Sequence, residues 1–135
     1  MDKKPFILYV DDDPDDRELF GYALTTCGAD YDLITADDGF DALKILASGE
    51  KPKCLYIDIN MPVMSGLELL KIIKSNSLYA LLPVFIFTTA ANEESIEEAK
   101  RLGAADVIIK PRSIQGLINY LHSCFSTTVM RNEFL

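Results

Sequence analysis

Two apolar segments of this sequence end abruptly at aspartate. Residues 6–10 are followed by three consecutive aspartates at 11–13, and residues 54–57 are followed by Asp58. Strands that are covered on both faces of a sheet are apolar throughout, and open parallel sheets bind ligands beyond the carboxyl ends of their strands. Carboxylates that gather at such an edge repel one another unless a cation joins them. The pattern therefore predicts a metal site at one edge of a parallel sheet.

Strand-like and helix-like segments alternate along the whole sequence. Short runs rich in β-branched and aromatic residues predict five strands, at 6–10, 31–36, 54–58, 84–88 and 106–110. Amphipathic patterns, with Gly or Asn at their ends, predict five helices, at 14–27, 39–47, 67–75, between Asn92 and Gly103, and at 113–125. Alternation of this kind requires right-handed crossovers, so we expect a three-layer α/β domain with a parallel sheet.

Polar side chains follow four of the five predicted strands. Asp11 and Asp12 follow the first, Asp58 the third, Thr88 ends the fourth and Lys110 ends the fifth. The second strand contributes no such group, which suits an outer strand placed away from the switch point between the first and third. We therefore expect the strand order 2-1-3-4-5, with all of these groups at one edge.

The sequence resembles the receiver domain of two-component response regulators from about residue 5 to residue 125. The resemblance lies in the order and spacing of several motifs, namely Ile7-Leu8-Tyr9-Val10-Asp11-Asp12, Asp58 with Met61-Pro62 and Gly66, Thr88, and Lys110-Pro111. It implies a flavodoxin-like (βα)5 fold. It also implies one domain over residues 1–135, with the core at 5–125 and a short tail at 126–135.

The resemblance implies that Asp58 is a phosphoacceptor that works with Mg²⁺. A carboxylate is ionised at neutral pH, so it can attack phosphorus without a general base. Mg²⁺ prefers octahedral oxygen ligands and readily accepts a phosphate oxygen. By the family pattern, Asp12 and Asp58 bind the ion directly, Asp11 acts mainly through water, and Asn60 offers its backbone carbonyl.

Two further residues are implied to stabilise the phosphoryl group and to report its presence. Lys110 supplies a positive charge and Thr88 a hydroxyl donor for the phosphoryl oxygens. Receivers commonly have a cis bond at Lys110-Pro111, which would direct the lysine inward. Such a domain catalyses only its own phosphorylation and dephosphorylation. Its expected partners are a sensor histidine kinase or a histidine phosphotransfer protein, and a downstream protein target.

Three positions differ from the common receiver pattern. Val107 stands where most receivers have a tyrosine or phenylalanine that moves with the threonine. Thr89 replaces an alanine or glycine beside the active site, and its branched side chain is expected to slow exchange with small donors and water. Arg112 stands where many DNA-binding regulators have phenylalanine, which weakens the case for their mode of dimerisation.

Not every aspartate near the opening cluster is expected to serve the metal. Asp13 precedes a proline, which favours the first helical position, so we interpret Asp13 as a helix N-cap. Asp15 and Asp16 then lie in the first helical turn, where negative charge suits the helix dipole.

The composition excludes several other classes of function. The net charge of −8 disfavours contact with nucleic acid or anionic membrane, since both require a basic face. The sequence has no apolar stretch long enough to span a bilayer and no signal-peptide core at its start, which predicts a cytoplasmic protein. Cysteines 27, 54 and 124 are widely spaced in apolar surroundings, which predicts buried, reduced thiols.

Two other functions share parts of this pattern. A phosphohydrolase of the haloacid dehalogenase class would use Asp11 and Asp13 as its Asp-x-Asp pair, with Thr88 and Lys110 as later motifs. It would lack its late acidic pair and leave Asp58 without a role. A flavodoxin-like cofactor binder needs a phosphate-binding loop of Ser, Thr or Gly after the first strand, and here that loop is acidic.

Overall fold

The computed structural model describes residues 4–125, which form five strands and five helices in strict alternation. The strands are β1 (Phe6–Val10), β2 (Asp32–Ala36), β3 (Cys54–Ile57), β4 (Val84–Thr88) and β5 (Asp106–Ile109). The helices are α1 (Pro14–Thr26), α2 (Gly39–Ala47), α3 (Gly66–Ser75), α4 (Glu93–Arg101) and α5 (Ile114–Phe125). The predicted ranges agree with these bounds to within two residues. The tail at 126–135 lies outside the described residues.

The strands form one parallel sheet in the order β2-β1-β3-β4-β5, which confirms the predicted topology. Every residue of β1 and β3 is buried, as expected for the central strands of a sheet covered on both faces. The edge strands β2 and β5 are only partly buried. The carboxyl ends of β1 and β3 are therefore adjacent and lie in the middle of the sheet edge.

Helices cover both faces of the sheet, and each face has its own apolar cluster. One cluster joins the sheet to α2, α3 and α4, and it is made mainly of aliphatic side chains. The other joins the sheet to α1 and α5, and it is rich in aromatic rings. No helix within residues 4–125 has the length and apolar character that crossing a membrane requires. The two clusters hold the central strands rigidly, which fixes the positions of the strand ends.

The helix boundaries follow from their capping residues. Asp13 accepts a hydrogen bond from the backbone N–H of Asp15 and caps α1, which confirms its predicted role. Ser65 and Glu68 form a reciprocal capping box at the start of α3. The apolar pattern of residues 19–27 predicts that Leu19 shares one face of α1 with Phe20 and Ala23, and this prediction was wrong, because Leu19 is 46% exposed. The buried face of α1 is filled by Phe20, Ala23, Leu24 and Cys27, and Leu19 lies to one side of it.

The cysteines are free thiols, as predicted. Cys27 and Cys54 are buried, and Cys124 is partly buried. Burial raises the pKa of the Cys54 thiol to about 12, so this group stays protonated at neutral pH. The buried cysteines thus act as small apolar side chains.

The loop between β3 and α3 contains a strained residue, Val63. Its φ is 70°, and the Met64 N–H bonds the Pro62 carbonyl oxygen (2.8 Å) across it. A hydrogen bond that spans one residue with positive φ closes a γ-turn of the rare and strained form, which costs a non-glycine residue about 1 to 2 kcal/mol. The Val63 side chain is 89% exposed, so it gains little from packing in return.

We expect Val63→Asn to stabilise the protein by about 1 kcal/mol, because asparagine tolerates a positive φ and little buried surface is lost. The free energy of unfolding from urea titration measures the effect. Leu81 is 96% exposed, has no positive φ, and provides a matched control in Leu81→Asn. Equal stability changes in the two variants would contradict the strain at Val63.

Candidate functional site

Three carboxylates from two central strands meet at the carboxyl edge of the sheet. Asp11 and Asp12 follow β1, and Asp58 follows β3, with the Asp58 N–H bonded to the Val10 carbonyl (3.0 Å). One oxygen from each carboxylate lies within 4.8 Å of the other two. Asp11 and Asp58 are buried, whereas Asp12 is exposed. The structure therefore brings together the three acidic residues that the sequence predicted to share a cation.

Both oxygens of the Asp11 carboxylate already have protein donors. Oδ1 accepts from the backbone N–H of Asp13 (3.0 Å), and Oδ2 accepts from the Tyr9 hydroxyl (2.8 Å) and from Lys110 Nζ (2.7 Å). The side chain of Arg17 donates to the Asp11 backbone carbonyl (2.8 Å). Asp11 is thus held in a fixed position by its own neighbours.

Asp58 is the less satisfied of the two buried carboxylates. Its residue is 8% exposed, and its buried Oδ1 has no hydrogen-bond partner among the described residues. Burial raises the pKa of this carboxyl group above its ordinary value, the Lys110 ammonium lowers it, and the Asp11 charge raises it again. A buried carboxylate oxygen without a partner is costly, so this atom is suited to binding a cation.

Lys110 supplies the positive charge at the centre of the site. Its Nζ hydrogen-bonds Asp11 Oδ2 (2.7 Å) and Asp16 Oδ2 (2.8 Å), and it lies 3.9 Å from Asp58 Oδ2. Burial of this side chain opposes its charge, but the hydrogen bonds to Asp11 and Asp16 outweigh that cost and raise the pKa of Lys110. Lys110 is therefore a permanent cation at neutral pH.

The sequence did not identify Asp16 as part of this site. The sequence indicates only a first-turn residue that suits the helix dipole, and Asp16 does lie in the first turn of α1. The structure adds a direct ion pair with Lys110 across the gap between α1 and the end of β5. The sequence did contain a sign of this contact. The first turn of α1 starts two residues after Asp12, so its side chains must remain near the same sheet edge.

The expected cis bond between Lys110 and Pro111 is not present, and that prediction was wrong. No cis peptide bond occurs within residues 4–125. Lys110 nevertheless points inward, because its N–H bonds the Thr88 carbonyl (2.7 Å) and its long side chain reaches the carboxylates of Asp11 and Asp16.

Thr88 and Asn60 flank Asp58 from the fourth and third strand ends. Thr88 is fully buried, and its hydroxyl donates to the Ala90 carbonyl (3.3 Å). The Thr88 hydroxyl and the backbone of Asn60 also lie close enough to Asp58 to lower its pKa slightly. Thr88 must leave the Ala90 carbonyl before it can donate fully to a group bound at Asp58.

The three positions that differ from the receiver pattern lie on β5 and just beyond the ends of β4 and β5. Val107 lies on β5 and packs against the aliphatic cluster, while Thr89 and Arg112 are exposed just beyond their strands. The effect of Thr89 on exchange with small donors stays a prediction.

Gly66 packs against the backbone of Asp58 and Ile59. Its N–H bonds the Ile59 carbonyl (2.8 Å), and a Cβ added at this position would overlap the carbonyl oxygen of Asp58 and lie 2.8 Å from its carbonyl carbon. The start of α3 therefore packs directly against the backbone that carries Asp58. Only glycine permits this approach, which explains its place in the motif.

Tyr9 connects the acidic site to the aromatic cluster beneath it. Its ring stacks on Phe20 (centroids 4.3 Å apart) and meets Phe87 edge-on (6.2 Å), while its hydroxyl bonds Asp11. Burial and the nearby carboxylates raise the pKa of Tyr9, so the hydroxyl stays protonated and donates. The sequence assigned Tyr9 only to the strand. Tyr9 and Asp11 are two residues apart in an extended segment, so the sequence could have shown that both side chains lie on one face of the sheet.

The geometry does not favour the phosphohydrolase alternative. That reaction would require Asp11 and Asp13 to act as a catalytic pair. Asp13 instead caps α1, and its Oδ1 accepts the Asp15 N–H (2.9 Å). Asp58, which the hydrolase would leave without a role, is one of the three carboxylates that meet in the site.

The donor set fits a hard divalent cation. All the candidate ligand atoms are carboxylate oxygens from Asp11, Asp12 and Asp58, and the buried Asp58 Oδ1 needs a partner. Mg²⁺ prefers such ligands and retains several waters, which the exposed side of Asp12 would admit. The residues present therefore suit a magnesium ion.

Comparisons with known proteins agree with this geometry. The family model of the response regulator receiver domain matches residues 7–122. A chemotaxis protein CheY homolog of Campylobacter jejuni is 33% identical over 121 residues, which cover 90% of this chain and 92% of that protein.

Two solved structures are similar over nearly the whole chain. The Mn²⁺-bound form of the response regulator Rcp1 superposes with a TM-score of 0.80 at 28% identity, covering 94% of this chain and 95% of that one. The phosphorylated cyanobacterial phytochrome response regulator RcpA superposes with a TM-score of 0.83 at 25% identity, covering 93% and 96%. The strand order, the acidic site and these matches together show that the chain belongs to the response regulator receiver domain family.

Proposed function

We propose that Asp58 accepts a phosphoryl group from a phosphohistidine of a sensor kinase or phosphotransfer protein. The observation that carries this proposal is the buried Asp58 Oδ1, which has no hydrogen-bond partner among the described residues and lies beside two further carboxylates and a lysine. In the transfer, an Asp58 oxygen forms a bond to phosphorus as the bond between phosphorus and the histidine nitrogen breaks. The product is an aspartyl phosphate, and the donor imidazole keeps the electron pair of the broken bond and leaves as a neutral ring because its other nitrogen is protonated.

We propose that Mg²⁺ is bound directly by Asp12 and Asp58 and by the Asn60 carbonyl, with Asp11 acting through water. The hydrogen bonds that occupy both Asp11 oxygens support an indirect role for that residue. The Mn²⁺-bound form of Rcp1 provides a structural neighbour in which a divalent cation is present. When bound, the ion would neutralise the carboxylates and the incoming phosphoryl oxygens.

Lys110 and Thr88 are proposed to stabilise the phosphoryl group once it is attached. Lys110 Nζ lies 3.9 Å from Asp58 Oδ2, so a phosphoryl oxygen on Asp58 would come within reach of the ammonium. Thr88 would exchange its bond to the Ala90 carbonyl for a bond to a phosphoryl oxygen. That exchange would move the loop after β4, and it gives the domain two surfaces that a downstream protein target can distinguish.

The chemistry can be tested by labelling. Incubation with phosphorylated histidine kinase or with acetyl phosphate, in the presence of Mg²⁺, is expected to add one phosphoryl group. Intact mass spectrometry measures the addition, and hydroxylamine should remove it because acyl phosphates react with that nucleophile. Chelation of Mg²⁺ should prevent labelling. Absence of labelling by both kinds of donor would contradict the proposal.

An exposed apolar patch beside the site is our candidate for the kinase contact. Leu19, Tyr22 and Ile114 line one surface depression with Asp15 and Glu18, and Leu19 and Ile114 also line the cavity next to Lys110. Leu19 is 46% exposed and Tyr22 is 59% exposed. A protein that docks its phosphohistidine at Asp58 would cover this patch and bury its apolar surface.

We expect Tyr22→Ala to slow phosphotransfer from a histidine kinase that labels the wild-type protein by about tenfold. Labelling by acetyl phosphate should be unchanged, since that donor needs no docking surface. Phe40→Ala is the matched control, because Phe40 is 57% exposed on α2, which packs on the opposite face of the sheet. Initial rates from radiolabelled donors measure both effects. Equal rates in the two variants would place the contact elsewhere.

The cytoplasmic location that the sequence predicts stays a prediction. It accords with the proposed donors, since response regulators of this kind meet the kinase domain of a sensor on its intracellular side.

A further inference from the structure

Three carboxylates lie near the Lys110 ammonium, and the ammonium hydrogen-bonds two of them. An ammonium group has three N–H donors. In this structure one bonds Asp11 and a second bonds Asp16, at 2.7 Å and 2.8 Å, while Asp58 lies 3.9 Å away. The proposed phosphoacceptor thus receives the weakest of the three contacts. Its Oδ1 has no hydrogen-bond partner among residues 4–125.

The position of Asp16 explains this preference. It lies in the first turn of α1, and its side chain is 31% exposed, against 10% for Lys110. A cavity of about 90 Å³ lies on this side of the lysine, and its lining includes Asp16, Lys110 and Tyr9 but neither Asp12 nor Asp58. Lys110 therefore lies between this cavity and the proposed phosphoacceptor, Asp58. Asp16 attracts the Lys110 ammonium toward the cavity and away from Asp58.

We propose that Asp16 is a positioning residue, which holds the Lys110 ammonium away from Asp58 and so leaves that carboxylate open to Mg²⁺ and to a phosphoryl donor. The proposal rests on the proposed function of Asp58. Without Asp16, Asp11 and Asp58 would be the remaining carboxylates within reach of Nζ, and a direct ion pair with the buried Asp58 would compete with the metal. Loss of the Asp16 charge would weaken cation binding further.

The predicted consequence is a greater requirement for Mg²⁺. We expect Asp16→Asn to weaken Mg²⁺ binding by about fivefold, which corresponds to about 1 kcal/mol. Isothermal titration calorimetry with MgCl₂ measures the binding. Labelling should be slowed at limiting Mg²⁺ and restored at saturating Mg²⁺. A merely structural role would lower the melting temperature without this dependence on the metal.

Asp15→Asn is the matched control. It removes the same charge from the same helical turn, but the structure shows no bond between Asp15 and Lys110 among the described contacts. We expect Asp15→Asn to weaken Mg²⁺ binding by less than about twofold, since its charge acts only at long range through water. Equal weakening in the two variants would overturn the proposal, because it would reduce Asp16 to a background charge.

Two further measurements test whether Asp16 acts through Lys110. In a Lys110→Ala background, Asp16→Asn should weaken Mg²⁺ binding no more than Asp15→Asn does, and a larger effect would overturn the proposal. In a crystal structure of metal-free Asp16→Asn, Lys110 Nζ should hydrogen-bond Asp58, and an unchanged position would overturn it. If the wild-type protein bound no Mg²⁺, the proposed function itself would fail. Normal wild-type binding with no effect of Asp16→Asn would remove only this inference.

Discussion

Asp58→Asn is expected to take up no phosphoryl group from either a phosphorylated histidine kinase or acetyl phosphate. The amide keeps the size and much of the packing of the carboxylate, but it has no anionic oxygen to attack phosphorus. No other carboxylate can replace it at the same point. Both Asp11 oxygens are hydrogen-bonded, and Asp12 is an exposed residue outside the buried pocket. Intact mass spectrometry after incubation with Mg²⁺ and donor measures the loss.

Asp13→Ala provides the control for this prediction. It should lower the free energy of unfolding by about 1 kcal/mol, because it removes the N-cap of α1, and it should still be labelled. The pair of variants thus separates a chemical role from a structural one within the acidic residues of one sheet edge. Labelling that survived in Asp58→Asn would disprove the assignment. Steady phosphate release from simple monoesters, retained in that variant, would instead support hydrolase chemistry.

Gly66→Ala is expected to have the second largest effect, and it should impair both stability and labelling. The added Cβ would overlap the Asp58 carbonyl oxygen and approach Ile59 Cα to 2.9 Å. These neighbours are backbone atoms, so they cannot move aside as a flexible side chain would. We expect a loss of about 2 to 3 kcal/mol in the free energy of unfolding, in the range for overpacked sites. Because the backbone of Asp58 must shift, labelling should also slow.

Gly28→Ala is a suitable comparison for the glycine substitution. Gly28 has a φ of 79° at the end of α1, and an added Cβ there would meet no atom within 4 Å. Its substitution should cost about 1 kcal/mol through backbone strain alone and leave labelling intact. Urea titration and labelling rates, measured on both variants, separate the effect of backbone strain from the effect of steric overlap. A Gly66→Ala protein that was no less stable than Gly28→Ala would show that α3 can move away from Asp58.

Much of the fold could be predicted because its signals are local. Each central strand is apolar throughout, and each helix carries its own boundary residues, such as Asp13 before α1 and Asn92 before α4. The strand order also followed from the sequence, because the second strand has no polar functional group at its end, which suits an outer strand away from the switch point. The small differences lie at strand ends. β3 and β5 end one residue earlier than predicted, although the N–H groups of Asp58 and Lys110 still bond the neighbouring strands.

The hydrogen-bond and ion-pair partners of each site residue could not be predicted from the sequence. Asp16 resembles any acidic residue in a first helical turn, and only the packing of α1 beside the end of β5 brings it 2.8 Å from Lys110. The resemblance to receiver domains implied a cis bond after Lys110 that would direct the lysine inward. It reaches the site through a trans bond, because the hydrogen bond to Thr88 and the carboxylates of two other elements determine its direction.

The sequence by itself determined the order of the elements and the sheet edge at which the polar groups meet, and its resemblance to receiver domains implied the role of Asp58. The first two properties follow from hydrophobic periodicity and chain connectivity, which are encoded along the chain. The tertiary structure alone decided how one ammonium is shared among Asp11, Asp16 and Asp58, and which carboxylate oxygen is left without a partner. Electrostatic contacts of this kind vary over distances of about 1 Å, and such distances arise only when separate helices and strands have packed together.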